Sequence, residues 1–187
     1  NKFTNEDNTL GGIYIIRDPR NVITSLKNHF KYSSYENALK FLLNEKNVIG
    51  IKNSKSEVDL PHIISSWKNH YNSWCKFNKN FLLIKYEDLI VDPLKEFIKI
   101  SNYLEKLLNK KFSKEEIIKS IKNCSFDNLK LKEERSGFVE SQKNIKNKSI
   151  PFFYLGPKND WRNLINNNIK VKIETAFKTE MIKLNYL

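Results

Sequence analysis

Two runs along the chain are apolar without polar alternation: Gly11-Gly12-Ile13-Tyr14-Ile15-Ile16 and Phe81-Leu82-Leu83-Ile84-Lys85-Tyr86. Strands covered on both faces read this way, as in a parallel sheet. Shortly after each comes an acidic residue followed by proline, Asp18-Pro19 and Asp92-Pro93. Asp accepts the first free helical N–H and Pro suits the first helical position, so both pairs mark helix starts. Apolar spacing then predicts a helix over residues 20–30 with Val22, Ile23, Leu26 and Phe30 on one face. It predicts another after Pro93 with Leu94, Phe97, Ile98, Ser101 and Leu104 on one side. Residues 35–43 form a further amphipathic stretch, and residues 44–59 read as a polar loop. Pro61 opens a helix carrying Ile64, Trp67, His70, Tyr71, Trp74 and Phe77 at three- and four-residue spacing. Ser113-Lys114-Glu115-Glu116 is a capping box ahead of Ile117, Ile118 and Ile121. Residues 131–149, rich in Lys, Glu, Ser and Asn, read as a long surface loop, a lid over a site or a disordered segment. An aromatic segment at 151–161 and a closing amphipathic helix at 169–184, with Ile173, Phe177 and Leu184, complete the pattern. Strands alternating with helices predict an α/β layer fold.

Composition narrows this to one folded domain. The 187 residues suffice for a single core, and 40% hydrophobic content excludes a disordered chain. No apolar run reaches the ~18–20 residues a membrane helix needs, so no transmembrane segment is expected. Asn1-Lys2-Phe3-Thr4-Asn5 has neither an initiating Met nor a signal-peptide core, so the chain is expected to begin inside a longer product. The net charge of +12 favours an anionic partner such as nucleic acid, anionic lipid or a phosphorylated cofactor. The lysines are nevertheless scattered among asparagines, which reads for any single one as a solvated face. Cys75 and Cys124 match neither a zinc pattern nor a disulfide framework and read as free buried thiols, consistent with a reducing, cytoplasmic setting.

Four places carry candidate chemistry. Arg17 stands at the end of the first strand, just before a helix. Ligands bind at carboxyl ends of strands in open α/β sheets, helix N-termini favour anions, and a guanidinium binds phosphate through two N–H groups. Ser25, eight residues on, adds a hydroxyl. The alternative is a surface arginine pairing with Asp18 or Asp88. Tyr86, at the end of the second strand, offers its ring or hydroxyl at the same sheet edge, or is a buried tyrosine with one satisfied hydroxyl. Trp67, His70 and Trp74 on one helix read as aromatic packing, since His70 has no acidic partner at helical spacing. Phe152, Phe153 and Tyr154 beside Gly156 suggest close backbone approach to a flat ligand such as adenine, or a packed aromatic turn.

In this order and spacing, the segments resemble the sulfotransferases that use 3′-phosphoadenosine-5′-phosphosulfate (PAPS), close to their cytosolic branch. The resemblance rests on Tyr14 to Asn21 with Arg17 and Ser25, and on Trp67, His70 and Trp74. It continues through Tyr86-Glu87-Asp88-Leu89 with Asp92-Pro93, through Cys124-Ser125-Phe126 with Leu129, and through Phe152 to Arg162. It implies a P-loop-NTPase-like three-layer fold, a parallel sheet flanked by helices, as a single sulfotransferase domain over residues 1–187. It implies that Arg17 and Ser25 bind the donor's 3′-phosphate. Tyr86, Ser125, Phe126 and Leu129 enclose the adenosine, with Cys124 where the family has Thr. Phe152, Phe153, Tyr154 and Gly156 complete the pocket. The implied reaction is in-line sulfuryl transfer from PAPS to a hydroxyl or amine of a small-molecule or glycan acceptor, leaving 3′-phosphoadenosine-5′-phosphate (PAP) and needing no metal.

The sequence departs from that pattern in places. The family's Arg-Lys-Gly is Tyr154-Leu155-Gly156, which removes a phosphate ligand; Lys158 and Lys143 are candidates to replace its charge. The family's second Gly is Asn159, and the dimer motif of animal members is not recognisable around residues 162–171. The phosphosulfate loop and the catalytic His, the general base of the family, are expected N-terminal to Asn1, because His29, His62 and His70 do not occupy matching positions. On this reading no catalytic residue lies in the chain, which by itself is expected to bind nucleotide rather than transfer sulfate. Two other readings remain: a P-loop kinase-like phosphotransferase, and a basic nucleic-acid-binding domain, against which the scattered lysines speak.

Overall fold

Both unalternating apolar runs form strands in the computed structural model, which describes residues 8–49, 61–76, 80–139, 141–143 and 149–187. In chain order the elements are β1 (Gly12–Ile16), α1 (Pro19–His29), α2 (Tyr35–Leu43), β2 (Val48–Ile49), β3 (His62–Ile63), α3 (Trp67–Cys75), β4 (Phe81–Lys85), α4 (Tyr86–Val91), α5 (Pro93–Leu108), α6 (Lys114–Asn123), α7 (Phe126–Ser136), β5 (Gln142–Lys143), β6 (Ser149–Ile150), α8 (Asn167–Ala176) and α9 (Lys178–Lys183). The chain folds into two compact units, Asn1–Arg17 with Asn78–Asp160, and Asp18–Phe77 with Trp161–Leu187.

In the first unit β1 and β4 pair in parallel, from Gly12 opposite Phe81 to Ile16 opposite Lys85. Gly11 is needed at the entry to β1 because the Tyr103 hydroxyl occupies the place of a Cβ, donating to the Asn80 carbonyl at 2.5 Å. Ile16 and Ile84 are buried as expected, but Ile15 is 53% exposed, so the sheet is not covered on both faces there. Successive side chains point to opposite faces of a strand, so exposed Ile15 beside buried Ile16 shows one face covered at this point and the other open. Asp92 caps α5 by accepting the Lys95 N–H, and Ser113 and Glu116 complete both halves of the capping box of α6.

The expected loop at 131–149 is partly regular structure. Ser125 caps α7, and the Lys and Glu that made the segment read as loop are good helix formers that extend it to Ser136. Beyond it β5 and β6 pair antiparallel, while residues 140 and 144–148 lie outside the described residues.

In the second unit α1, α2, α8 and α9 bury one continuous cluster: Ile23, Ala38, Leu39, Leu42, Ile169, Ile173, Phe177 and Met181. Asp18 and Pro19 start α1 as the sequence suggests, with the Asp18 carboxylate accepting the Arg20 N–H at 2.8 Å. The helix expected from Pro61 begins later, at Trp67. Ser66 is its cap, Ser65 before it takes a left-handed φ of 61°, and His62–Ile63 pair instead with Val48–Ile49. Two residues of the expected 44–59 loop are thus strand; residues 50–60 and Phe77 lie outside the described residues. The closing helix is two helices, α8 and α9, interrupted at buried Phe177, whose φ of −118° and ψ of 18° leave the helical region.

A buried ion cluster closes this unit. The Arg20 guanidinium meets Asp18 at 2.7 Å, Glu174 at 2.6 Å and the Tyr186 carbonyl at 2.7 Å, and lies 4.2 Å from the centre of the Trp161 ring. Burial works against its charge, but the two carboxylates outweigh that and raise its pKa, holding it charged. Cys75 and Cys124 are both free, as expected, but both exposed, because Cys75 ends α3 and Cys124 stands at the C-cap of α6. Among the described residues no helix is long and apolar enough to cross a membrane.

Candidate functional site

Parallel pairing of β1 and β4 fixes the first part of the site. Ile16 opposite Lys85 places Arg17 and Tyr86 next to each other, just past the carboxyl ends of adjacent strands. Tyr86 does not extend β4 but is the first residue of α4. The Arg17 guanidinium lies over its ring, 4.2 Å from the centroid. A stacked guanidinium keeps its N–H fork in plane and aimed, and loses less freedom when it takes up a phosphate. As for the alternative pairing of Arg17 with Asp18, the Asp18 carboxylate receives three hydrogen bonds from the Arg20 side chain, at 2.7, 3.0 and 3.1 Å.

The second part forms around α7. Its N-cap Ser125 accepts the Asn128 N–H at 3.4 Å, so the hydroxyl expected to face a nucleotide also caps a helix. Phe126, the first residue of α7, meets Phe153 edge to face at 6.3 Å, and Phe153 lies 5.2 Å from Phe152. Leu129 lies one turn along α7 and is half-buried. Gly156 opens a 3₁₀ turn, Gly156–Lys158, with a left-handed φ of 51°. The space a Cβ would need there is filled by the Phe126 ring. The glycine therefore permits close approach, as the sequence suggests, but to a ring of the protein itself.

Cys124 is exposed at the end of α6, and Tyr154 is 57% exposed. Ser25 is exposed on α1, in the second unit. Trp67 and Tyr71 stack at 6.2 Å, and Trp67 packs on Phe177 at 5.1 Å, the packing role expected of this helix; Trp74 is 38% exposed. His70 lines an apolar cavity with Val22, Leu26, Phe41, Leu42, Ile64, Ser65 and Trp67, and burial lowers its pKa. No group of three or more His, Cys, Asp or Glu suited to a metal occurs among the described residues.

Two residues that contact the Phe152–Phe153 segment were not legible in the sequence. Phe138 packs on Phe152 at 4.8 Å and on Phe153 at 5.5 Å. Glu133, on α7, accepts the backbone N–H groups of Phe152 at 2.6 Å and Phe153 at 2.9 Å and the hydroxyl of Ser141. Burial opposes its charge, but these three donors outweigh it and hold the carboxyl below its usual pKa. Both residues lie in the stretch read as a polar loop. The signal that would have found Glu133 is Ser125 followed by a run of helix formers, which carries position 133 onto a helix.

A family model described as Sulfotransferase domain matches residues 6–185. The chain belongs to the sulfotransferase family. It is 24% identical over 173 residues to the amine sulfotransferase of Oryctolagus cuniculus, covering 90% of this chain and 54% of that protein. It is 27% identical over 174 residues to sulfotransferase 2A1 of Macaca fascicularis, covering 92% and 56%. Among solved structures it resembles mouse sulfotransferase SULT7A1 complexed with PAP, with a TM-score of 0.61 and 22% identity over 90% of this chain and 57% of that one. It likewise resembles retinol dehydratase in complex with androsterone and PAP, with a TM-score of 0.59 and 19% identity over 90% and 46%. These likenesses show the sulfotransferase fold, P-loop-like with a parallel sheet, which the pairing of β1 and β4 displays. The sulfotransferase chain described here spans about half the length of these relatives.

Proposed function

We propose that this chain is the nucleotide-gripping part of a PAPS-dependent sulfotransferase, both units belonging to one sulfotransferase domain. The family match, which runs through both units, supports this, as do the PAP complexes of its structural relatives. The observation that carries it is the Arg17 guanidinium stacked on Tyr86 at the carboxyl ends of paired parallel strands. The donor set fits such a ligand. Arg17 offers a fork for one phosphate, and Phe126, Phe152 and Phe153 offer ring faces and edges for a purine. The exposed Tyr154, where the pattern has a cation, offers no such charge, which makes Arg17 the more important.

When bound, the donor supplies the activated sulfuryl group. The residues of this chain bind and orient it. Arg17 takes the 3′-phosphate. Tyr86 and the Phe126 region enclose the adenosine, and Gly156 lets Phe126 seat against the backbone. The acceptor carries a hydroxyl or amine on a small molecule or glycan; relatives named for amines and luciferin support the small-molecule half of this. A cytoplasmic setting belongs to the same reading, supported by two free thiols. Family membership weighs against the kinase-like and nucleic-acid-binding alternatives.

Calorimetric titration with PAP, with ADP as control, tests the reading. A preference for the 3′-phosphorylated nucleotide is expected. Arg17→Ala should weaken PAP about 10- to 100-fold, the worth of a charge-assisted hydrogen bond, and leave ADP almost unchanged. Equal affinity of the wild-type chain for PAP and ADP would sink it.

A further inference from the structure

Helix α7 holds the aromatic segment at two points. At its start, Phe126 meets Phe153 and fills the space above Gly156. Seven residues on, about two turns and roughly 10 Å along the axis, Glu133 receives the N–H groups of Phe152 and Phe153. Its carboxylate also takes the Ser141 hydroxyl, so one side chain joins three separate stretches of chain. Adjacent N–H groups on a segment between strand and turn have no ladder to join, and need such an acceptor. Three donors hold the Glu133 carboxylate on the protein's own chain.

We infer that Glu133 is a positioning residue for nucleobase recognition: its carboxylate fixes the Phe152–Phe153 backbone so that the rings of Phe126, Phe138, Phe152 and Phe153 form the surface on which a purine stacks. This rests on the nucleotide-binding reading above. Glu133 touches no ligand itself. It acts through the rings, so its loss should weaken recognition of the base and spare recognition of the phosphates. Phe138 and Phe152 are each 39% exposed, leaving ring surface available to a base.

The test compares PAP with methyl riboside 3,5-bisphosphate, which carries both phosphates and no base. Both are titrated against the wild-type chain, Glu133→Ala and Glu133→Gln. Glu133→Ala should weaken PAP about tenfold, within the range that base stacking contributes, and leave the base-free probe within about twofold. Glu133→Gln retains one acceptor oxygen and should show a smaller loss of the same selectivity. Equal losses for both probes, or none for either, would overturn the inference. If Glu133→Ala gives no cooperative melt, Glu133→Gln decides: a PAP-selective loss supports the role, and its absence overturns it. The wild-type comparison of PAP with ADP separates the two levels. If PAP is preferred there and the variants are silent, the inference alone falls; if PAP is not preferred, the nucleotide-binding reading falls and takes it along.

Discussion

Among the described residues, the unit of residues 18–77 with 161–187 holds a cluster of fully buried apolar side chains, whereas the unit built on β1 and β4 keeps several aromatic rings partly open. Ile23, Ala38, Ile169, Ile173 and Met181 are 0% exposed, and Phe177 is 2% exposed. In the other unit Ile16, Ile84 and Ile117 are buried, while Phe138 and Phe152 are each 39% and Tyr154 57% exposed. Stable packing and ligand binding draw on the same apolar residues. A ring buried in a core is unavailable to a ligand, and a ring held for a ligand contributes less to the core. The chain separates the two demands, with a packed helical unit and a unit whose rings are held in place by backbone hydrogen bonds to Glu133.

The largest expected effect tests that separation directly. Phe177→Ala should cost about 3–5 kcal/mol of unfolding free energy in urea titration, because it removes a buried ring and leaves a cavity. Phe138→Ala, at a half-exposed ring, should cost roughly 1–1.5 kcal/mol, with its main consequence in nucleotide affinity. Equal costs at the two positions would erase the distinction between packed and open units.

Arg20→Ala comes next. It leaves Asp18 and Glu174 facing each other without their shared cation and removes the contact with the Trp161 ring. Breaking a buried pair in this way costs about 3 kcal/mol. The loss should be the same at low and high salt, because Asp18 and Arg20 are each 7% exposed in their side chains. A pair such as Lys111 with Glu105, whose lysine is 92% exposed, should contribute almost nothing by comparison. A strongly salt-dependent loss for Arg20→Ala would mean that the cluster is solvated.

Local signals carried most of the architecture. Asp18-Pro19, Asp92-Pro93 and Ser113 with Glu116 each depend on residues within three positions, and each started a helix where the sequence put it. Burial from composition was legible where a continuous core existed, as at Ile23 and Ile173. It failed at Ile15, because a run of apolar residues does not say which face of the sheet another layer covers. The closeness of Arg17 and Tyr86 was legible, because strand register alone brings neighbours together. The contact made by Glu133 was not legible, because it depends on backbone N–H groups 19 and 20 residues away. Such a partner has no spacing rule, and a polar stretch resembles a loop until its cap is weighed against its helix propensity. Trp67 was expected as packing and is packing, whereas the start of its helix was misplaced because Pro61 outranked Ser66 as a signal.

The smallest expected effect sets the two units against acid. Burial lowers the pKa of His70, in the packed unit, below its ordinary value of 6.5. The unfolded chain therefore binds a proton at that position before the folded one does. Stability from neutral His70 is complete above about pH 6.5 and is lost as pH falls through the folded value. Glu133, in the open unit, has the opposite charge and the same direction of shift: its folded pKa lies below the ordinary 4.5. The stability it contributes is present above the unfolded value and is lost only as pH falls through the lower, folded one. Between pH 7.5 and 5.5 the packed unit should therefore weaken first, while the carboxylate that holds the rings stays charged. Urea midpoints of the wild-type chain and His70→Gln at these two pH values measure this. The wild type should lose more stability on acidification than the variant, which carries no titrating group in the cavity of Val22, Leu26, Phe41 and Trp67. If the two lose stability in parallel, His70 is not the acid-sensitive point. Glu133→Gln should then be compared over pH 5.5 to 3.5, where its difference from wild type should narrow only in the carboxylate range.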